Sequence, residues 1–253
     1  MQIRQLNFVC QFWRMRMSKV VAIHQPNFFP WLGYFDKIAK SDIFIFLDHV
    51  QYPKTVGSWS NRVKLMSRDT GQWITAPIER NFHGVRSINQ IVFKEGNGWR
   101  DNFVKWLQIN YSGAPFFKET YEFISPLILD TEDNMAKYDI RAISAIASHI
   151  GLSNKMFLLS SDVDVNGQAT EMLINLVEAT NCQIYLCGGG SAGYQDDNMF
   201  ANAGIELQYQ NFQHPIYPQV GRQGFVPGLS IVDALMSVGA KQVHQWFTEE
   251  VTS

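Results

Sequence analysis

The chain reads as an α/β protein built on one mainly parallel sheet with helices on both faces, plus an inserted β-hairpin and a helical middle region. Three observations predict this. Short apolar runs rich in β-branched residues flank a helix-spaced segment near the start, at 20–23 and 43–47. The same alternation returns over 156–209, and the stretch between has a different character. Strand, helix, strand in so short a compass is a βαβ unit, and βαβ units make parallel sheets.

The first strand, Val20-Val21-Ala22-Ile23, runs into the turn-like His24-Gln25-Pro26-Asn27. Residues 31–40 then carry Leu32, Phe35, Ile38 and Ala39 at helical spacing, with Pro30 placed at the helix start. Residues 43–47 are apolar throughout, as a strand buried on both faces requires. In the middle, 73–78 and 88–93 are rich in β-formers and flank Asn81-Phe82-His83-Gly84, which predicts the antiparallel hairpin. Helices are expected at 99–111, 115–129 and 135–150, the last closed by Gly151. Strands at 156–159, 183–187 and 205–209 alternate with helices at 167–180 and 194–203, and the tail is helical from Ser230.

Composition removes several classes of function. A formal net charge of −2 gives no basic surface for a nucleic-acid partner. No apolar run approaches the roughly 18–20 residues that span a bilayer. The three cysteines, Cys10, Cys182 and Cys187, show neither a disulfide framework nor zinc-ligand spacing, so a reducing, cytoplasmic setting and no metal are expected. Residues 1–16 carry three basic residues, Arg4, Arg14 and Arg16, without a signal-peptide core. Met17 runs straight into the first strand, so 1–16 read as a disordered extension or a start-site artefact, and 17–253 as one domain.

Four motifs carry candidate chemistry. His24-Gln25 follow the first strand, where open α/β sheets bind ligands near helix N-termini; taken singly, His24 reads rather as a strand-end cap, and Trp31 and Phe35 as core. Asp48-His49-Val50-Gln51 follow the second strand and Asn61-Arg62 come soon after; Asp48 can orient an amine and Arg62 can fork onto phosphate, or they are a turn acid and a surface cation. Cys187-Gly188-Gly189-Gly190 lead from a late strand towards Tyr194, the anatomy of a backbone nest for oxyanions. Cys187 is a conceivable nucleophile there, although a cysteine closing a buried strand is usually packing. Tyr217-Pro218-Gln219 precede Ser230 and Asp233, a weak helix-capping arrangement.

Taken together, these blocks closely resemble the WbqC-like protein family. The resemblance runs from Val20 to Phe247 and rests on His24-Gln25-Pro26 with Pro30-Trp31-Leu32-Gly33-Tyr34, on Asp48 with Gln51, and on Asn61-Arg62. It continues through Gly188 with Tyr194, Tyr217-Pro218-Gln219, and Pro227-Gly228-Leu229-Ser230-Ile231 with Asp233. The family often looks like Ser-Gly where this chain has Cys187-Gly188, which argues against an obligatory cysteine nucleophile.

The resemblance implies a place among O-antigen and lipopolysaccharide genes. It also implies attachment of glycine or another small acyl group to the amine of a 4-amino-4,6-dideoxy sugar nucleotide. For that transferase chemistry His24 is the expected base and Asp48 the group that orients the amine. Arg62 is expected to hold pyrophosphate, Trp31 or Tyr34 to stack on a ring, and Gln25, Gln51, Asn61, Gly188, Gly189, Gly190, Tyr194 and Gln219 to complete the binding surface. The expected partners are a sugar nucleotide and an activated donor, an acyl thioester or an aminoacyl-tRNA. Two other classes stay open: a sugar-nucleotide or amino-acid binding module without turnover, and a nucleotidyltransferase-like enzyme. The latter's His-x-Gly-His signature is absent.

Overall fold

The computed structural model describes residues 19–53, 58–68, 70–81, 83–189, 195–221 and 224–248. The reading of 1–16 as an extension, and the parts given to Gly190 and Tyr194, lie outside the described residues.

β1 (Val20–His24), α1 (Leu32–Ala39) and β2 (Ile43–Phe46) form the expected first unit. β2 is buried at all four positions, and its side chains alternate between two cores: Phe44 and Phe46 on one face, Ile43 and Ile45 on the other. β5 (Met156–Leu159), α5 (Ala169–Ala179), β6 (Ile184–Gly188), α6 (Asp197–Asn202) and β7 (Glu206–Gln210) complete the α/β part. The five strands are ordered β5-β2-β1-β6-β7 and every pairing is parallel. In chain order that is third, second, first, fourth, fifth, the doubly wound arrangement. The strand order reverses between β1 and β6.

The hairpin is present but displaced from where its composition placed it. β3 (Arg62–Ser67) pairs antiparallel with β4 (Thr70–Thr75), turning at Arg68, which has a positive φ of 53°. Of the expected pair, Ile78 and Phe93 share a single bridge, and Ile88–Gln90 wind into a 3-10 turn closed by a reciprocal capping box between Ser87 and Gln90. β3 has no counterpart among the expected strands, and its Arg62 and Lys64 interrupt any apolar run. They alternate with buried Val63 and Leu65, so the charges lie on the strand's outer face.

α2 (Trp99–Tyr111), α3 (Phe117–Ile128) and α4 (Met135–His149) form the helical middle, and α7 (Ile231–Thr248) returns along it with a kink at Gly239. These helices join α1 and the hairpin in the larger core, while α5 and α6 cover the opposite face. The helix expected from Tyr194 begins at Asp197, where the Asp196 carboxylate accepts the Asn198 N–H at 3.0 Å. Asp233 does not cap: buried, it accepts the Tyr111 hydroxyl at 2.7 Å and the Tyr217 hydroxyl at 2.8 Å, tying α2 and the C-terminal loop to α7.

Candidate functional site

Parallel strands bring their carboxyl ends to one edge, so His24 at the end of β1 and Gln25 after it share that edge with Gly188 at the end of β6 and Gly189 after it. This is the strand-order reversal, the crevice where doubly wound folds place ligands. His24 is half-buried and packs edge-on against Tyr34, with ring centroids 4.8 Å apart. Its Nδ1 lies 2.9 Å from the Gln25 carbonyl oxygen. A carbonyl only accepts, so Nδ1 carries the proton and Nε2 keeps its lone pair. Burial, with the Lys37 charge second, lowers the His24 pKa to about 4, against the opposing pull of the Gln25 bond. The imidazole is therefore neutral at physiological pH.

Lys37, on α1, is a residue that sequence reasoning passed over. It is almost wholly buried, and its Nζ donates to the Ile23 carbonyl at 3.0 Å. Burial lowers its pKa to about 8, with Cys187 opposing. A signal existed: Lys37 follows buried Tyr34 by three positions and so shares its helix face. Gln210, at the end of β7, was also passed over. Its Nε2 donates at 2.7 Å to both the Gly33 carbonyl and Asp36 Oδ2, fixing α1 against the sheet edge.

The other expected residues divide by location. Asp48, after β2, is buried and already serves four donors: Ser160 Oγ at 2.9 Å, Ser161 N at 3.0 Å, Ser161 Oγ at 2.7 Å and Asn89 Nδ2 at 3.3 Å. It thereby ties the carboxyl ends of β2 and β5, with His49 Nδ1 2.6 Å from Ser160 Oγ beside it. Tyr34 is buried and its hydroxyl donates to the Gln25 carbonyl at 3.1 Å. Trp31 packs on Phe212 and His214 and lies flat over Gly33, where an added Cβ would meet the indole at 2.2 Å. The Tyr34 ring is thus committed to packing, and the Trp31 ring is packed in part and remains partly exposed.

Asn61 is buried, donating to the Ala76 carbonyl at 2.9 Å and accepting the Tyr52 hydroxyl at 3.0 Å. Arg62 stands on β3 with its guanidinium 4.2 Å from the Trp73 ring centroid. Gln51 is exposed and bridges to Ser87. Gln219 holds both the N–H and the carbonyl of Val226, a closed loop clamp. The Cys187 thiol is fully buried and donates to the Gln208 carbonyl at 3.4 Å, facing the smaller core. A cleft of about 280 Å³ between β4 and α2 is lined by Phe28, Trp99, Phe103 and Trp106 and contains no titratable side chain. Among the described residues no group of histidine, cysteine and carboxylate side chains has metal-ligand geometry, and no helix is long and apolar enough to cross a membrane.

Fold and site together define a doubly wound α/β protein with its candidate ligand site at the strand-order reversal. The chain belongs to the WbqC-like protein family, whose model matches residues 25–245. It is also similar to a protein of Mycobacterium tuberculosis, named uncharacterized protein Rv1507c: 32% identical over 225 residues, covering 88% of this chain and 95% of that relative. No solved structure matches the chain.

Proposed function

We propose that the protein transfers an acyl or aminoacyl group, glycyl included, from an activated donor to the amine of a 4-amino-sugar nucleotide used in bacterial surface polysaccharide. The observation that carries this reading is His24: a neutral imidazole at the strand-order reversal, with Nδ1 spoken for and Nε2 without a hydrogen-bond partner among the described residues. The amine attacks the donor carbonyl, the new C–N bond forms, and the C–S or C–O bond to the donor breaks. After attack the nitrogen is far more acidic than a free ammonium, so a weak base such as His24 suffices to take its proton. Burial keeps the imidazole unprotonated, and the positive charge of Lys37 adds to that effect. In this scheme Asp48 acts by holding the β2 and β5 ends in place. In the same scheme the Gly189 amide, just past the end of β6, meets the developing negative charge. Neither Cys187 nor a covalent intermediate is required.

The test is to incubate the full chain with acyl-coenzyme A or glycyl-tRNA donors and a 4-amino-4,6-dideoxy-sugar nucleotide, then look for the amide by mass. Product that disappears with His24→Ala supports the transfer. Saturable binding of the sugar nucleotide without product from any donor would make the protein a binding module instead.

A further inference from the structure

Two tryptophans leave more than a third of their surface exposed. Trp59 is 43% exposed and Trp73 is 37% exposed, and their rings meet edge to face with centroids 4.9 Å apart. Leaving two indoles in water forgoes burial that the dense aromatic core offers elsewhere. Arg62 lies over Trp73, and no carboxylate pairs with it among the described residues. Its Nε is buried without a hydrogen-bond partner. A guanidinium stacked by its face keeps its N–H groups in its own plane, and with Nε buried it is the terminal N–H groups of Arg62 that can meet anionic oxygens. Burial raises the pKa of the nearby Tyr52 hydroxyl, while Arg80 and Arg62 both oppose that rise, which places two positive charges around Tyr52.

This surface is joined to the loop that follows β1. The Phe28 N–H donates to the Trp59 carbonyl at 2.8 Å, and Ser60 Oγ donates to the Pro26 carbonyl at 2.8 Å. Flat aromatic faces next to an unpaired, planar cation recognise a ligand that is itself a flat ring carrying an anion. Indole faces stack any base, and an arginine fork takes phosphate.

We propose that Trp59, Trp73 and Arg62 form a nucleotide subsite, in which a nucleobase stacks on the indoles and a phosphate sits on the Arg62 fork. This rests on reading the acceptor as nucleotide-linked. It gives the stacking role to residues other than Tyr34, whose ring is packed, and Trp31, whose ring is packed in part.

Calorimetric titration of the full chain with UDP, dTDP and uridine tests it. Both diphosphates should bind, with uridine weaker. Trp59→Ala and Trp73→Ala should each weaken UDP by about tenfold. Arg62→Lys should weaken UDP but leave uridine unchanged. Equal UDP affinity in the wild type and both tryptophan variants overturns the subsite, as does no nucleotide binding at millimolar concentration. The outcome is separable from that of the transfer reaction. Nucleotide binding lost in these variants, with no amide formed by any donor, leaves the subsite standing and removes the transfer. Amide formed at unchanged KM in the tryptophan variants does the reverse.

Discussion

Lys37 donates its ammonium to the main-chain carbonyl of Ile23 at 3.0 Å, at the point where β1 and β6 part. The parallel register of these strands ends at Ala22 opposite Leu186, whereas β1 stays paired with β2 through His24. The His24 carbonyl accepts the Leu47 N–H on the β2 side, so the Ile23 carbonyl faces the β6 side, where the ladder has ended. A lysine thus completes a hydrogen bond that the sheet leaves open, and its charge is held beside His24.

That placement predicts an electrostatic coupling. In Lys37→Met the His24 pKa should rise from about 4 but stay below 6.5, because burial, the larger cause, is unchanged. Histidine ring resonances followed by NMR across pH 3 to 8 measure it. An unmoved His24 titration would separate the two residues and undo the account of how the base is kept neutral.

Much of the sheet was legible because burial on both faces leaves a plain signal: Ile43-Phe44-Ile45-Phe46 has no polar residue to confuse strand with loop. The hairpin was harder, since Arg62 and Lys64 face outward and single-residue composition hides the alternation with Val63 and Leu65. The site divides similarly. His24, Gln25, Gly188 and Gly189 follow from strand ends, which sequence can locate. Lys37 and Gln210 act across the sheet edge through contacts no local pattern encodes. Asp233 illustrates the same limit: its spacing from Ser230 reads as a cap, yet the hydroxyls that hold its carboxylate come from Tyr111 and Tyr217.

His24→Ala should lower turnover by about a hundredfold or more, the usual scale for losing a general base. Its pH behaviour follows from the lowered pKa. The imidazole is unprotonated above about pH 4, so kcat/KM should show no limb attributable to it between pH 5 and 8. For stability the sign is as follows: a histidine with a folded pKa below its unfolded value contributes stability above about pH 6.5, lost as pH falls through 4. A limb near pH 6.5 that vanishes with His24→Ala would show an exposed, ordinary histidine.

Asp48 separates a holding role from a chemical one. Asp48→Ala strands the donors of Ser160 and Ser161 and should lower stability by about 2–3 kcal/mol, a drop in Tm of roughly 4–12 °C. Asp48→Asn keeps an acceptor and should lose much less of both stability and turnover. Normal melting of Asp48→Asn together with a hundredfold loss of turnover would place the carboxylate's charge in the reaction itself.

Asp139, on α4, is fully buried, and neither carboxyl oxygen has a hydrogen-bond partner among the described residues. Burial alone pushes its pKa well above the usual carboxylate range. Its charge is felt by Tyr34, Tyr52 and Tyr138, which are neutral and offer no compensation. Below about pH 4 both folded and unfolded chains hold the proton, so the carboxyl is indifferent to folding. As pH rises, the unfolded chain releases the proton and the folded chain keeps it. Stability then falls by about 1.4 kcal/mol per pH unit until the folded carboxyl ionises. Asp139→Asn has nearly the same shape and no proton to lose. Its Tm should match the wild type near pH 4 and exceed it by a margin that widens towards pH 7. Thermal melts of both proteins across that range decide the matter. Parallel curves would mean that Asp139 ionises at an ordinary pH and has a partner in solution.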